Sequence, residues 1–501
     1  MVNKLNNKLT TKDGLPKDRP VLTKKQINDQ NLDLNDLAVI DSFNLSKTNY
    51  SAGLIKGLLF TAVAILIFFI PITYNGKTDM VFGIIYNFFI NVLGDVGLWG
   101  ISLLIAATGF LSFYGKFIAK SGRLRDYFKE DSVFHPFLYL LGGFFTMAYT
   151  LHKTTALQFP DIIVGDATGG TIIPAIVVAV FWIIVVSGVF MPFLLNYGFI
   201  DLIGSLMEPL MRPVWKVPGR AAVNAIASFV SSSSVGVLIS SKLYRRGVYT
   251  EKEAVLVVTG FSAVSVGFAY MVIQTAGLED RFLSVYFSSL LLTMIVSAFI
   301  ARIPPFSKKK DVYLDGRVQT EEDRRTKSHT GENVFKTGVD RMAKKAYTAN
   351  PLPLEIASSL KDGLEVIPKV LGLLAAVGTA SLIIAEKTKV FIYLGKIFEP
   401  LLHLLRVPNV AEIAPSFPVG IAEMFLPVLL IKNQIDVIHP GARYIVVAVS
   451  IVQIIFFAET VVVMMATKLP LKLKELIIVF FERTFFGIIF AALFARLLGF
   501  M

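Results

Sequence analysis

The chain has 501 residues, of which 54% are hydrophobic and 17% charged, with a mean hydropathy of +0.64. Soluble domains carry about 25% charged residues, so this composition excludes an ordinary soluble enzyme and indicates a polytopic membrane protein. The formal net charge is +12 and the chain contains no cysteine. Without cysteine there are no disulfides or thiolate metal clusters. Because excess Lys and Arg marks the cytoplasmic loops of membrane proteins, we expect no nucleic-acid partner.

The first third of the chain predicts a tail and four membrane spans. Residues 1–52 are rich in Asn, Lys and Asp and have no apolar run, which predicts a disordered cytosolic tail rather than a secretory signal. Residues 53–152 are predicted to form N-terminal scaffold helices, with spans at 54–72, 98–114 and 133–149 and an interfacial or re-entrant stretch at 80–92. The fourth span is 171–195. Basic loops at 116–129 and 212–220 are expected on the cytosolic side, together with the N-terminus.

Two segments of the chain resemble each other. Residues 204–210 (GSLMEPL) and 395–401 (GKIFEPL) align through Glu208 and Glu399, and each leads to a Val-Pro pair. An interrupted apolar segment follows each pair: 221–241, with four serines at 231–234, and 411–431, with three prolines. Serine hydroxyls compete for the backbone hydrogen bonds of a helix, and proline removes them. Both segments are therefore predicted to be broken or re-entrant.

The charge pattern predicts that the two repeats are inverted. If 221–241 re-enters the membrane, the basic loop at 242–252 stays in the cytosol, as the positive-inside rule requires. Spans at 254–276 and 282–301 complete the first repeat, 171–302, and residues 303–352 form a charged cytosolic linker. The second repeat, 353–501, starts from the opposite side and has spans at 366–385, 444–465 and 476–498. The expected fold is an all-α polytopic protein of the cytoplasmic (inner) membrane with about nine transmembrane helices.

Side chains next to the breaks are candidates for binding a solute. Inverted repeats with helix breaks at corresponding places are typical of secondary transporters, whose site lies near the bilayer midplane. Two kinked helices that pack without a ligand are the alternative. The candidate substrate-binding residues are Asn224, Ser228, Ser231, Ser232, Ser233, Ser234, Ser262 and Gln453. For each serine, the alternative is a hydrogen bond to its own helix.

Two carboxylates fall in apolar stretches of the second repeat. A charged side chain at the bilayer centre costs about 2.5–3.5 kcal/mol on insertion scales, so Glu423 and Glu459 are candidates for coupling to Na⁺ or H⁺, or for binding a substrate amine. The alternative is a carboxylate that pins a helix by a hydrogen bond. The sequence contains no nucleotide-binding or metalloprotease motif. We therefore expect no enzyme activity, no catalytic residue, no metal site and no organic cofactor.

Three sequence stretches carry a family resemblance. Residues 247–254 (GVYTEKEA), residues 259–262 (TGFS) and the serine-rich residues 231–236 resemble the YjiH family of membrane proteins with nucleoside-recognition, or Gate, domains. The resemblance covers most of the chain after Thr171. Gate domains are similar to modules of concentrative nucleoside transporters and to the pore region of ferrous-iron transporters, which implies transport.

The sequence and this resemblance together predict an ion-coupled secondary transporter that works by alternating access. The expected partners are the lipid bilayer and a small polar organic solute, nucleoside-like or amino-acid-like. A homodimer is the candidate assembly. The alternative function is that of a non-transporting Gate-domain membrane scaffold or accessory protein.

Overall fold

The computed structural model describes residues 19–30, 32, 37–74, 77–129, 131, 133–230, 233–262, 266–320, 333–457, 459–467 and 469–501. The regular elements of these residues are helices, apart from one antiparallel hairpin of β1 (Pro71–Tyr74) and β2 (Lys77–Met80) and two isolated β-bridges. Among the described residues, six helical stretches are long and apolar enough to cross a membrane. They are Lys47–Phe68, Val81–Ile118, Asp161–Leu195, Glu279–Ile300, Leu352–Lys387 and Leu473–Leu497. The predicted all-α membrane fold is confirmed, whereas the count of nine crossings stays a prediction.

The described residues of the N-terminal part form six α-helices. They are α1 (Lys24–Asp29), α2 (Leu37–Asp41), α3 (Lys47–Phe69), α4 (Val81–Phe113), α5 (Arg123–Phe128) and α6 (His135–Thr154), and α4 continues as a π-helix over Tyr114–Ile118. Residues 81–93 form the first part of α4, which non-helical backbone at Gly94 separates from the predicted span at 98–114, so the interfacial or re-entrant placement of 80–92 stays a prediction. The helix is kinked at Gly94, whose φ of 41° is a conformation that glycine adopts without steric cost.

The region from Asp161 to Ile300, which contains the first repeat, has nine α-helices among its described residues. They are α7 (Asp161–Val164), α8 (Gly169–Thr171), α9 (Val178–Leu195), α10 (Phe199–Trp215), α11 (Ala221–Val230), α12 (Ser233–Arg245), α13 (Glu251–Phe261), α14 (Val266–Thr275) and α15 (Phe282–Ile300), with a π-helix over Ile172–Val177 between α8 and α9. The predicted break in 221–241 falls between α11 and α12. The expected span at 254–276 is instead two helices, because α13 ends at Phe261 and its cap, Ser262, has a non-helical ψ of 58°.

The second repeat is more fragmented. Its helices are α17 (Leu352–Leu373), α18 (Thr379–Lys387), α19 (Val390–Gly395), α20 (Glu399–Leu404), α21 (Val410–Ile413), α22 (Ser416–Val419), α23 (Leu426–Ile431), α24 (Pro440–Gln453), α25 (Thr460–Ala466) and α26 (Leu473–Leu497), with a π-helix over Leu374–Gly378. The proline-rich residues 411–431 are broken, as predicted. The expected span at 444–465 is divided into α24 and α25, because Ile454 has a positive φ of 60°. The inversion of the two repeats stays a prediction.

Residues 19–52, predicted as part of a disordered tail, are folded where the structure describes them. Ile27, Phe43 and Leu45 form a small buried cluster. Asp41 accepts two hydrogen bonds from Arg341, from Nε at 3.0 Å and from Nη2 at 2.7 Å. The apolar and charged partners lie far apart in the sequence, so composition alone predicted disorder. Residues 1–18 lie outside the described part of the chain.

The charged linker also contributes a packed helix. Its helix α16 (Val334–Thr348) contains Arg341 and packs against α3 and α10. Met342, Ala343 and Ala346 are buried, so an apolar stripe at helical spacing faces the membrane domain. The linker is therefore an ordered part of the fold in residues 303–320 and 333–352, and residues 321–332 lie outside the described residues.

Candidate functional site

The broken helices of the two repeats pack against one another. Helix α12 of the first repeat contacts α25 of the second, and α14 contacts α23 and α24. Every one of these helices begins or ends at one of the breaks described above. The interrupted parts of the two repeats thus share an interface, as a common polar site requires.

Glu459 binds the start of α12 across that interface. Its Oε1 accepts hydrogen bonds from Ser233 Oγ at 2.9 Å, from the backbone N–H of Ser234 at 3.2 Å, and from Ser234 Oγ. The first N–H groups of a helix have no intrahelical partner, and they favour a negative charge. A carboxylate of the second repeat therefore caps a helix of the first, at the serine segment that the sequence analysis selected. Ser231 and Ser232 of that segment lie outside the described residues.

Glu423 is the second carboxylate at the interface. It is buried in the turn between α22 and α23, where its side chain accepts a hydrogen bond from the backbone N–H of Phe425. The adjacent carbonyl oxygen of Met424 accepts from Ser450 Oγ of α24 at 2.8 Å. Glu423 also interacts electrostatically with Glu459. The structure thus brings the two predicted carboxylates close enough to repel each other when both are ionised.

Asn224 and Ser228 lie inside the first repeat. Asn224 Nδ2 donates to Ser240 Oγ at 2.9 Å and so joins α11 to α12. Ser228 Oγ donates to the carbonyl oxygen of Asn224 at 2.9 Å, the bond to its own helix that the sequence analysis left as an alternative. A Cβ on Gly236 would lie 1.9 Å from Ser228 Oγ and 3.0 Å from Ser262 Oγ. These two serines therefore meet at the backbone of α12, where only glycine leaves room.

Gln453 occupies the matching place in the second repeat. The interval from Ser262 to Gln453 equals that from Glu208 to Glu399, and each of the two residues stands where a helix breaks. A Cβ on Gly420 would lie 1.9 Å from Gln453 Oε1, just as a Cβ on Gly236 would meet Ser262. In each repeat, a polar side chain at one break thus packs against a glycine in another broken segment of the same repeat.

Some of these polar atoms are buried without a partner. Gln453 Nε2 donates to the carbonyl oxygen of Phe417 at 2.7 Å and to Thr484 Oγ1 at 2.9 Å. In the part of the chain that the structure describes, Asn224 Oδ1, Ser262 Oγ and Gln453 Oε1 have no hydrogen-bond partner. Leaving a buried polar atom unpaired costs about 1–3 kcal/mol. Such atoms are suited to bind the hydroxyl or amine groups of a polar solute.

Thr460 was not assigned a role from the sequence, yet it holds the break after α24. The positive φ of Ile454 is unfavourable for a β-branched residue. Thr460 Oγ1 donates to the Ile454 carbonyl oxygen at 2.7 Å, and it accepts from the Phe456 N–H at 2.9 Å. One hydroxyl therefore replaces backbone bonds that the break removes, and it positions Glu459 next to it.

Helix α12 is attached to the second repeat at its other end as well. Lys242 Nζ donates to Ser359 Oγ of α17 at 3.0 Å and lies 3.5 Å from Asp362 Oδ2. Burial lowers the pKa of Lys242 to about 8. The second repeat thus contacts α12 through Glu459 at its first turn and through α17 at its last.

Comparisons with known proteins agree with part of this description. The Gate family, described as nucleoside recognition, matches residues 177–279, which run from α9 through α14. Over 463 residues the chain is 30% identical to an uncharacterized protein of Alkalihalophilus pseudofirmus, a match that covers 89% of this chain and 95% of the relative. The chain belongs to the family of that protein. The Gate match confirms the nucleoside-recognition domain that the resemblance implied for this chain.

A solved structure was also compared. The chain is 14% identical to a doubly substituted variant of CNTnw in an outward-facing state, with 92% of this chain and 98% of that chain covered and a TM-score of 0.45.

Proposed function

We propose that this protein is an ion-coupled secondary transporter of a small polar organic solute, nucleoside-like or amino-acid-like, in the cytoplasmic membrane. The single observation that carries the proposal is the contact of Glu459 with Ser233 and Ser234. It joins the two repeats through a carboxylate at two helix breaks, in a chain with a Gate nucleoside-recognition domain. A cytosolic N-terminus, inverted repeats, membership of the YjiH family and a homodimer belong to the same proposal.

The contact supplies a mechanism for coupling. When α12 moves to open the site toward the other side of the membrane, Glu459 loses the donors of Ser233 and Ser234. Hydrogen bonds to a charged group contribute about 1.5–3 kcal/mol each, and a carboxylate without partners in apolar surroundings is costly. A proton, Na⁺ or an amine of the solute replaces the lost donors. The movement is then favourable only when that cation is bound.

The neutral side chains supply the binding of the solute. Ser262 and Gln453 stand at the breaks of the two repeats, and each has a buried oxygen available as an acceptor, as has Asn224. Solute hydroxyls or amines that donate to these oxygens satisfy them without breaking any hydrogen bond of the described residues. A purely apolar solute leaves them unpaired, so the site discriminates in favour of polar solutes.

Transport in liposomes tests the proposal. Purified protein is reconstituted, and uptake of radiolabelled uridine and of a mixture of amino acids is measured with an inward Na⁺ gradient, an inward H⁺ gradient or neither. We expect accumulation of one solute class under one gradient. Glu459→Gln abolishes accumulation, while Glu412→Gln, an exposed carboxylate of the same repeat, leaves it unchanged.

The alternative function predicts a different result. A non-transporting Gate-domain scaffold gives no uptake of either solute class under any gradient, although the protein is folded and correctly inserted. Equal accumulation by wild type and Glu459→Gln, with the same ion dependence, contradicts the coupling role of this carboxylate.

A further inference from the structure

A fully buried arginine lies beside the two breaks. Arg483 of α26 has no exposed surface. Nε donates to the carbonyl oxygen of Val452 at 2.7 Å, and Nη1 donates to Ser297 Oγ at 3.1 Å. Among the described residues, no carboxylate pairs with it, and Nη2 has no hydrogen-bond partner.

Both contacts lead to a helix end. Val452 is the penultimate residue of α24. Ser297 Oγ lies 2.7 Å from the carbonyl oxygen of Gly260, the penultimate residue of α13, and 2.7 Å from that of Thr293 in its own helix, so its hydroxyl hydrogen can be donated to either. The last carbonyl groups of a helix have no intrahelical partner, and in the membrane they need one from elsewhere. Arg483 thus serves the freed carbonyl groups at two breaks, directly in the second repeat and through Ser297 in the first.

The helix dipoles favour the same position. Each helix C-terminus carries about half a negative elementary charge, so the ends of α13 and α24 both attract the guanidinium. The close packing supports the same arrangement, because a Cβ on Gly260 would lie 3.2 Å from Ser297 Oγ.

We propose that Arg483 is a positioning residue that ties the two helix breaks together and so keeps Ser262 and Gln453 at a fixed separation. Thr484, the next residue of α26, holds Gln453 Nε2 at 2.9 Å, so one helix turn positions both the backbone and the side chain at the second break. The role of Ser262 and Gln453 in solute binding rests on the proposed function. The tie between the breaks does not.

Hydrogen exchange measured by mass spectrometry tests the tie without any solute. Full-length protein in nanodiscs is compared with Arg483→Lys, which keeps the charge but loses the forked donor geometry. We expect exchange about tenfold faster both in residues 448–457 and in residues 255–262. The matched control is Arg496→Lys on the same helix, whose guanidinium contacts Ala492 and Leu405 instead. Faster exchange in 448–457 alone, or in neither peptide, overturns the proposal.

A second, milder substitution tests the same contacts in case Arg483→Lys prevents folding. Ser297→Ala removes the relay to Gly260 and leaves the contact of Arg483 with Val452, so we expect faster exchange in residues 255–262 only. Its control is Ser289→Ala, since Ser289 is a buried serine of the same helix whose hydroxyl donates to the carbonyl oxygen of Val285 within α15. Equal exchange in these two variants contradicts the relay.

Transport kinetics test the functional part. With radiolabelled uridine as the probe, Arg483→Lys raises KM about tenfold and changes the maximal rate less than twofold, because binding geometry is disturbed rather than the movement. An unchanged KM together with faster exchange at both breaks refutes the positioning of the solute site. If wild-type protein carries no uridine, the proposed substrate class fails, and the exchange experiment still decides whether Arg483 ties the breaks.

Discussion

Substitution of Gly236 by alanine tests the packing at the first break. The added Cβ would lie 1.9 Å from Ser228 Oγ and 3.2 Å from Ser228 Cβ. Ser228 must therefore rotate and give up its hydrogen bond to Asn224, which costs about 0.5–1.5 kcal/mol. Overpacking against Ser228 and Ser262 costs about 1–3 kcal/mol in well-packed interiors. Alanine gains about 0.8–1.0 kcal/mol of helix propensity, so we expect a net loss of about 0.5–3.7 kcal/mol.

The assay is equilibrium unfolding of the purified protein in mixed micelles with increasing SDS. Gly100→Ala is the control. Gly100 lies in α4, and apart from its own helix backbone no atom lies within 4 Å of the added Cβ. We expect this substitution to be neutral or slightly stabilising. The double variant Gly236→Ala, Ser228→Ala removes the closest contact. We expect it to recover about 1 kcal/mol relative to the single variant.

Two results would refute this reasoning. A Gly236→Ala protein as stable as Gly100→Ala would show that Ser228 is not in contact with α12. A double variant that is destabilised by more than the sum of the two single changes would show that the Ser228 side chain stabilises the Gly236→Ala protein rather than clashing with the added Cβ.

Three further predictions concern the periphery of the site. Asp41→Asn leaves the buried guanidinium of Arg341 without its anion, which destabilises the local fold by about 3 kcal/mol; hydrogen exchange in residues 37–45 should accelerate, and unchanged protection contradicts the contact. Because the pKa of Lys242 is lowered in the native state, the native protein loses this proton at a lower pH than the unfolded chain does. The free energy of unfolding of wild type therefore rises between pH 8 and 10.5, by up to about 3 kcal/mol. Lys242→Met removes that rise, and parallel pH profiles of thermal unfolding for the two proteins would contradict it. Cysteine at Ser307 should resist a membrane-impermeant thiol reagent in intact cells and cysteine at Lys387 should react; the opposite pattern overturns the inverted repeats.

The sequence by itself determined the elements whose cause is local. Apolar runs of sufficient length predicted most of the membrane helices, because the bilayer sets their length and composition. The serines at 231–234 and the prolines between 411 and 431 predicted two of the breaks, since these residue types compete with or remove backbone hydrogen bonds. Glu423 and Glu459 were candidates because a carboxylate in an apolar membrane segment costs free energy wherever the helix packs.

Only the tertiary structure decided which groups meet. No proline and no run of serines predicted the breaks at Ser262 and Ile454. These breaks are stable because Thr460 and Arg483 form hydrogen bonds with the backbone groups that lose their helical partners. Arg483 reaches Val452 from a helix that comes later in the chain, and Arg341 reaches Asp41 across 300 residues. A buried polar group is stable only beside its partner, and a sequence pattern shows the group without the partner. For the same reason, the contact of Glu459 with Ser233 and Ser234 is a property of the folded chain, although each of the three residues was a candidate beforehand.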